Sequence, residues 1–358
     1  MYTLSLILFV YSLIMAVLFN SKLSKHYLKF PYFLVFVSLS WFVSLNVDIL
    51  SRDYLNYSVW FSEIRKYSLI DILLLNGVDS GKDFGFQFLV ALIQKNIDYS
   101  NYVIYFIFSF LIIFLKYKIS SFFNSNLILI LVFWLFFAQT FILFEITQIR
   151  AGLAICLSTY AFLRSIHYKG NNLLNILIFL IAISIHISTV LIFLIFLIYK
   201  FREEIVSKYF IILLILSSLI FKYLFSTFIS LLFIKYFSDS IRFSDYLDGS
   251  EVLSLLSVFL IAKILVILIL LFYWDEIAET KKYIVLMSAI GCFFQISLSS
   301  NAVFGLRFAE LFILFSLMTF VMLLPIKSIN INLRYIYLIC LLGLSFFFYY
   351  SSTKIILS

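Results

Sequence analysis

Two prolines, nine glycines and three cysteines in 358 residues leave little to punctuate this chain or to staple it. Proline and glycine mark turns and linkers, so their scarcity excludes a series of loop-rich domains. Cys156, Cys292 and Cys340 lie singly inside apolar runs, without the spacing of a disulfide framework or a zinc site, and read as packing residues. Charge is also sparse: Asp, Glu, Lys and Arg make up 12% of the chain against 64% hydrophobic residues. A soluble domain carries about a quarter of its residues charged, so that class is excluded. No segment alternates apolar and polar positions over ~10 residues, as a transmembrane β-barrel requires.

What is present is a succession of apolar runs, each about 18 residues or longer and able to cross a hydrocarbon core about 30 Å thick. The expected class is all-α: a polytopic integral membrane protein of about 10–12 transmembrane segments forming one domain over residues 1–358. The run Tyr2 to Phe19 lacks a basic leader and a small-residue cleavage site and reads as a retained first span. Further spans are expected at 32–47, 99–115, 126–144, 147–166, 208–234, 251–273, 282–299, 302–325 and 333–350. Two segments depart from this pattern. Phe84 to Ile97 is short and carries Gln87 and Gln94, which suits a re-entrant or interfacial helix. Leu173 to Tyr199 is overlong and interrupted by Ser184, His186, Ser188 and Thr189, which suits a broken hairpin with His186 at its tip.

The net charge of +8 sits between the spans and so speaks for topology and not for nucleic acid. By the positive-inside rule, Lys22, Lys25 and Lys29 place their loop in the cytoplasm, and the net acidic segment 48–83 falls outside. With the short segment not crossing and the hairpin turning back, Lys116, Lys118, Arg164 and Lys169 join Lys200, Arg202, Lys281, Lys282, Lys327 and Arg334 on the cytoplasmic side. Both termini and the segments 48–83 and 235–250 are then external.

An ionisable residue inside a span is expensive, and so it is a functional candidate. Under this topology Arg150, Glu145, Arg307, His186 and Asp53 with its neighbours Arg52, Tyr54, Asn56 and Tyr57 all converge on the outer face. The planar fork of arginine matches phosphate oxygens, so two such side chains at a membrane boundary imply a lipid-linked phosphate or diphosphate. Plainer readings stand beside this one. Arg307 and Glu310 can neutralise each other at i, i+3. Arg150 can snorkel to the interface. His186 can pack against Ser184, Ser188 and Thr189, and Tyr54, Tyr57, Trp60 and Tyr67 can form an aromatic belt. Lys263, in the middle of a span, asks for a carboxylate on a neighbouring helix.

The segments SRDYLNYSVWF (51–61), DFGFQFLVAL (83–92), QIRAGLA (148–154), IHIS (185–188) and FGLRFAELF (304–312) resemble, in order, elements of the EpsG-like branch of the Wzy-type O-antigen and exopolysaccharide polymerases. Asp83 stands where that family commonly has Glu, and Ala151 follows Arg150 where Gln is commoner. The resemblance implies a GT-C-like helical bundle in a bacterial cytoplasmic membrane. It also implies glycosyl transfer between undecaprenyl-pyrophosphate-linked glycans on the outer face, with a flippase and a chain-length regulator as partners and no cofactor. On that reading Arg150 and Arg307 receive the leaving diphosphate, and His186 or Asp53 accepts the proton of the attacking hydroxyl. Arg52, Tyr54, Tyr57, Asp83, Glu145, Gln148 and Glu310 line the substrate path. No metal is expected, because no carboxylate cluster lies within the spans. The competing classes are a lipid-linked oligosaccharide flippase, with charges at several depths, a membrane acyltransferase, with a tight His–Asp pair, and a structural scaffold.

Overall fold

The computed structural model describes residues 29–78, 83–123, 125–168, 172–201, 206–225, 253–255 and 257–357. The expected first span, the loop of Lys22 and Lys25, the external segment 235–250, and Lys169 and Arg202 lie outside the described residues. Among the described residues every regular element is helical. Five of the described helices are long and apolar enough to cross a membrane: Tyr32–Leu50, Asn101–Ser120, Asn126–Thr147, Ile149–His167 and Ile331–Ser351. The protein is an all-α polytopic membrane protein. Its chain divides into two compact units, Met1–Phe193 with Cys340–Ser358, and Leu194–Ile339.

The first unit opens with α1 (Lys29–Leu50), α2 (Tyr54–Ile64) and α3 (Leu69–Leu73), followed by α4 (Phe84–Asn96) and α5 (Asn101–Ser120). Helices α1 and α5 run antiparallel. The Tyr32 ring lies 4.6 Å from that of Tyr117, and at the other end Ser44 Oγ donates to the Tyr102 carbonyl at 2.8 Å. Serine and threonine fit such apolar helices by bonding back one turn, as Ser40 does to Phe36, Thr140 to Phe136 and Ser158 to Ala154. In hydrocarbon an unpaired hydroxyl costs several kcal/mol.

Helix α4 has 13 residues, about 20 Å of rise, too short to cross. Its glutamines point inward. Gln94 donates to the Phe61 carbonyl at 3.1 Å, and Gln87 pairs with both backbone groups of Val78 at 2.8 and 3.0 Å. They pin α4 beneath α2 and the segment after α3.

Helix α6 (Asn126–Thr140) continues as a π-helix, Phe141–Thr147, and α7 (Ile149–His167) follows after one residue. The tight reversal depends on Gly152. A Cβ there would lie 2.6 Å from Phe144 Cβ and 2.9 Å from its carbonyl oxygen. The π-helix also turns Glu145 inward, where it meets Lys116 Nζ at 2.6 Å with side-chain exposures of 1% and 2%. This corrects the topology count: Lys116 is not a loop cation but the buried counter-ion of Glu145. Beyond α7, α8 (Asn172–Ile185) and α9 (Val190–Phe201) are separated by His186 and a 3-10 turn, Ile187–Thr189. The rings of Phe179 and Phe193 lie 5.3 Å apart. The chain therefore doubles back at His186, as the interrupted sequence predicts.

The second unit contains α10 (Lys208–Leu224), α11 (Val258–Phe272), α12 (Glu279–Ser297), α13 (Ala302–Glu310) and α14 (Ile313–Val321); α15 (Ile331–Leu357) closes the chain. The expected single span 302–325 is broken, α13 and α14 meeting at 61°. The break seats Phe312 against α12, where a Cβ at Gly291 would lie 2.8 Å from Phe312 Cβ, and Phe294 stacks on the Phe312 ring at 6.0 Å. Lys263, expected to meet a carboxylate, instead donates to the amide oxygen of Gln295 at 2.6 Å. Arg334, read as a loop cation, is a loop organiser: its guanidinium donates to the carbonyls of Ile326, Lys327 and Ile329 at 2.6–3.0 Å.

Candidate functional site

Asp83 precedes α4 in the left-handed region, at φ 49° and ψ 44°, which a short polar side chain tolerates better than most. Two residues on, Gly85 lets the first turn of α4 lie directly on the hairpin. A Cβ there would run into the Ser184 side chain and stand 2.9 Å from the Ser184 backbone carbonyl carbon. That close approach carries Asp83 to the hairpin tip. Its Oδ1 lies 3.4 Å from the Ile187 backbone nitrogen and 3.9 Å from His186 Nδ1.

The other oxygen of Asp83 faces α7. Arg150, in the first turn of α7, donates from Nη1 to Asp83 Oδ2 at 2.6 Å, the short distance of a charge-assisted bond. The guanidinium carbon stands 5.0 Å above the Trp60 ring, within cation–π range, and Trp60 in turn rests on Phe86 at 5.1 Å. Side-chain exposures of 12% for Asp83, 23% for His186 and 27% for Arg150 leave the cluster partly open. A carboxylate thus sits between a fixed cation and an imidazole, brought together from three segments by the start of α4, the start of α7 and the hairpin tip.

Of the residues selected from sequence, Asp83, Arg150 and His186 come together. Tyr57 reaches them through rings, 6.2 Å from Trp60 and 6.2 Å from Tyr105; Tyr54 also lies 6.2 Å from Tyr105. Asp53 is the residue before α2 and makes no side-chain cap, and Arg52 beside it is exposed. Gln148 immediately precedes α7, and its Oε1 is buried without a hydrogen-bond partner among the described residues. Glu145, committed to Lys116, does not join the cluster. Arg307 and Glu310 belong to the second unit, where Arg307 Nη1 lies 3.7 Å from Glu310 Oε2. The aromatic reading of Trp60 missed its place under the guanidinium. The glycines at 85 and 152, each next but one to a charged residue, were the available signal for both close approaches.

An all-α multi-pass bundle thus carries an Asp–Arg–His cluster where two helix starts meet a hairpin tip. The profile of the EpsG family matches residues 29–357, and the chain belongs to that family, the exopolysaccharide or Wzy-like polymerases. No curated protein and no solved structure gives a match.

Proposed function

We propose that the protein polymerises polysaccharide repeat units carried on undecaprenyl diphosphate, as a glycosyltransferase at the extracytoplasmic face of a bacterial cytoplasmic membrane. Arg150, partly open and held in place by Asp83 beside His186, is the single observation that carries this reading. Breaking the glycosidic C–O bond leaves negative charge on the departing diphosphate. A guanidinium fixed beforehand stabilises that charge more in the transition state than in the substrate. His186 at the hairpin tip accepts the proton of the attacking sugar hydroxyl, and the rings of Trp60, Tyr57 and Tyr54 supply flat apolar surfaces for sugar faces. Asp53, Arg52 and Gln148 are further candidate contacts within the first unit, and Arg307 with Glu310 is a separate candidate pair within the second. A flippase delivering the repeat unit and a chain-length regulator are the expected partners.

Deleting the gene and resolving surface polysaccharide on a gel tests the proposal. Polymerase loss collapses a ladder to a single-repeat band, whereas loss of that band as well indicates a flippase. Complementation with Arg150→Ala, inserted at normal levels, is expected to leave only the single-repeat band, a loss of about 10²-fold or more in polymer formation. A wild-type ladder from that variant would overturn the assignment.

A further inference from the structure

We propose that Asp83 is an exchangeable counter-ion. It neutralises Arg150 before the donor binds, and when the donor's diphosphate takes the guanidinium, the released carboxylate turns to His186 and fixes it as the base. This inference rests on the reading of the site given above and deepens it.

The geometry is asymmetric. One oxygen of Asp83 makes a full bond to Arg150 at 2.6 Å, while the other stands 3.9 Å from His186 Nδ1, beyond hydrogen-bond range. A movement of about 1 Å would close that gap; the same oxygen accepts only a long bond, 3.4 Å, from the Ile187 backbone N–H at the tip, which a turn toward the adjacent His186 can keep. A diphosphate offers more charge and more acceptor oxygens than a carboxylate, and it competes for the same guanidinium edge. It also finds donors that the carboxylate leaves unused. Arg150 Nε and Trp60 Nε1, on either side of the 5.0 Å cation–π contact, are buried and without a hydrogen-bond partner among the described residues.

The exchange orders the reaction. With Asp83 bonded to Nδ1–H of His186, Nε2 carries the lone pair. The acceptor hydroxyl oxygen then bonds to the anomeric carbon as the bond to the diphosphate breaks. The electron pair leaves on the diphosphate oxygen beside Arg150, and the hydroxyl proton passes to His186 Nε2, later to be released to water. A base that gains its carboxylate partner only once the donor is seated couples acceptor activation to donor binding. A merely structural Asp83 would make no such link.

The test uses the purified full-length protein in lipid nanodiscs. Binding of farnesyl diphosphate is measured by calorimetry, and polymer formation is measured on lipid-linked repeat units. Removal of a competing charge in a partly exposed pair predicts that Asp83→Asn binds the probe about two- to fivefold more tightly, while polymer formation falls about 10²-fold. Asp83→Glu, which keeps the charge, should return affinity to the wild-type value and recover part of the rate. His186→Ala should slow polymerisation without changing affinity. Inorganic pyrophosphate must rank the variants in the same order, since the exchange concerns phosphate oxygens; tightening confined to the lipid probe would overturn the proposal. Unchanged or weaker binding by Asp83→Asn, with Asp83→Glu behaving alike, would also overturn it. If Arg150→Ala binds the probe as well as wild type, the polymerase reading itself fails. If Arg150→Ala loses the probe but Asp83→Asn gains nothing, only the exchange fails.

Discussion

Lys116 and Glu145 answer each other's charge deep inside the first unit, 2.6 Å apart and at most 2% exposed. Desolvating two ions costs several kcal/mol each, and the mutual attraction offsets this only while both are present. Either Lys116→Met or Glu145→Gln alone is therefore expected to destabilise the protein by about 3–5 kcal/mol. The double apolar replacement, Lys116→Met with Glu145→Leu, should recover most of that loss, as read by thermal unfolding in detergent. The pair was not legible in the sequence: 29 residues separate its members, and a lysine near the end of a span is indistinguishable from a loop cation until its partner is known. Arg150 was legible as a cation in want of an anionic partner because its chemistry is local. Its bond to Asp83 was not, since it spans 67 positions. Lys263 shows the same limit, because an amide on another helix serves where charge balance alone suggested a carboxylate.

The elements around the site are positioned by close backbone approach. Gly85→Ala would press a methyl group onto the carbonyl carbon of Ser184, which cannot rotate away. The expected result is normal membrane insertion with polymer lost, and truncation of the neighbour in Gly85→Ala with Ser184→Ala should not rescue it, since the obstacle is backbone. A different anchor holds the loop between α14 and α15. Glu276 accepts from the Ser328 hydroxyl and, at 3.2 Å, from its backbone N–H. These bonds, the hydroxyl first, hold its carboxyl below the usual value of 4.5. A depressed carboxylate adds stability above its ordinary value and loses it as pH falls through the depressed one. Limited proteolysis at 326–330 should thus separate Glu276→Gln from wild type at neutral pH, and the difference should vanish in acid. At this scale the hairpin was readable, because a run of apolar residues was interrupted midway by His186 and hydroxyls. The 61° break between α13 and α14 was not. It is set by how Phe312 packs against Gly291, and neither residue interrupts the hydrophobic pattern.

For the molecule as a whole, composition decided the class, because a chain so poor in charge has few other places to fold. The number of crossings was less accessible. Helices α4, α8, α9 and α11 have 13, 14, 12 and 15 residues, and none spans ~30 Å alone at 1.5 Å per residue. The loop charges predict a sidedness that labelling can check. On a Cys340→Ser background, with Cys156 and Cys292 buried, Ser62→Cys should react with a membrane-impermeant maleimide in intact cells, and Ser328→Cys only after lysis. The reverse pattern would invert the topology. The paired short helices α8 and α9 also bear on biogenesis. Neither half is long enough to span the bilayer by itself, so the two halves are expected to enter it as a pair, with Phe193 against Phe179. A ribosome arrested before that point would leave the imidazole of the tip without its final setting.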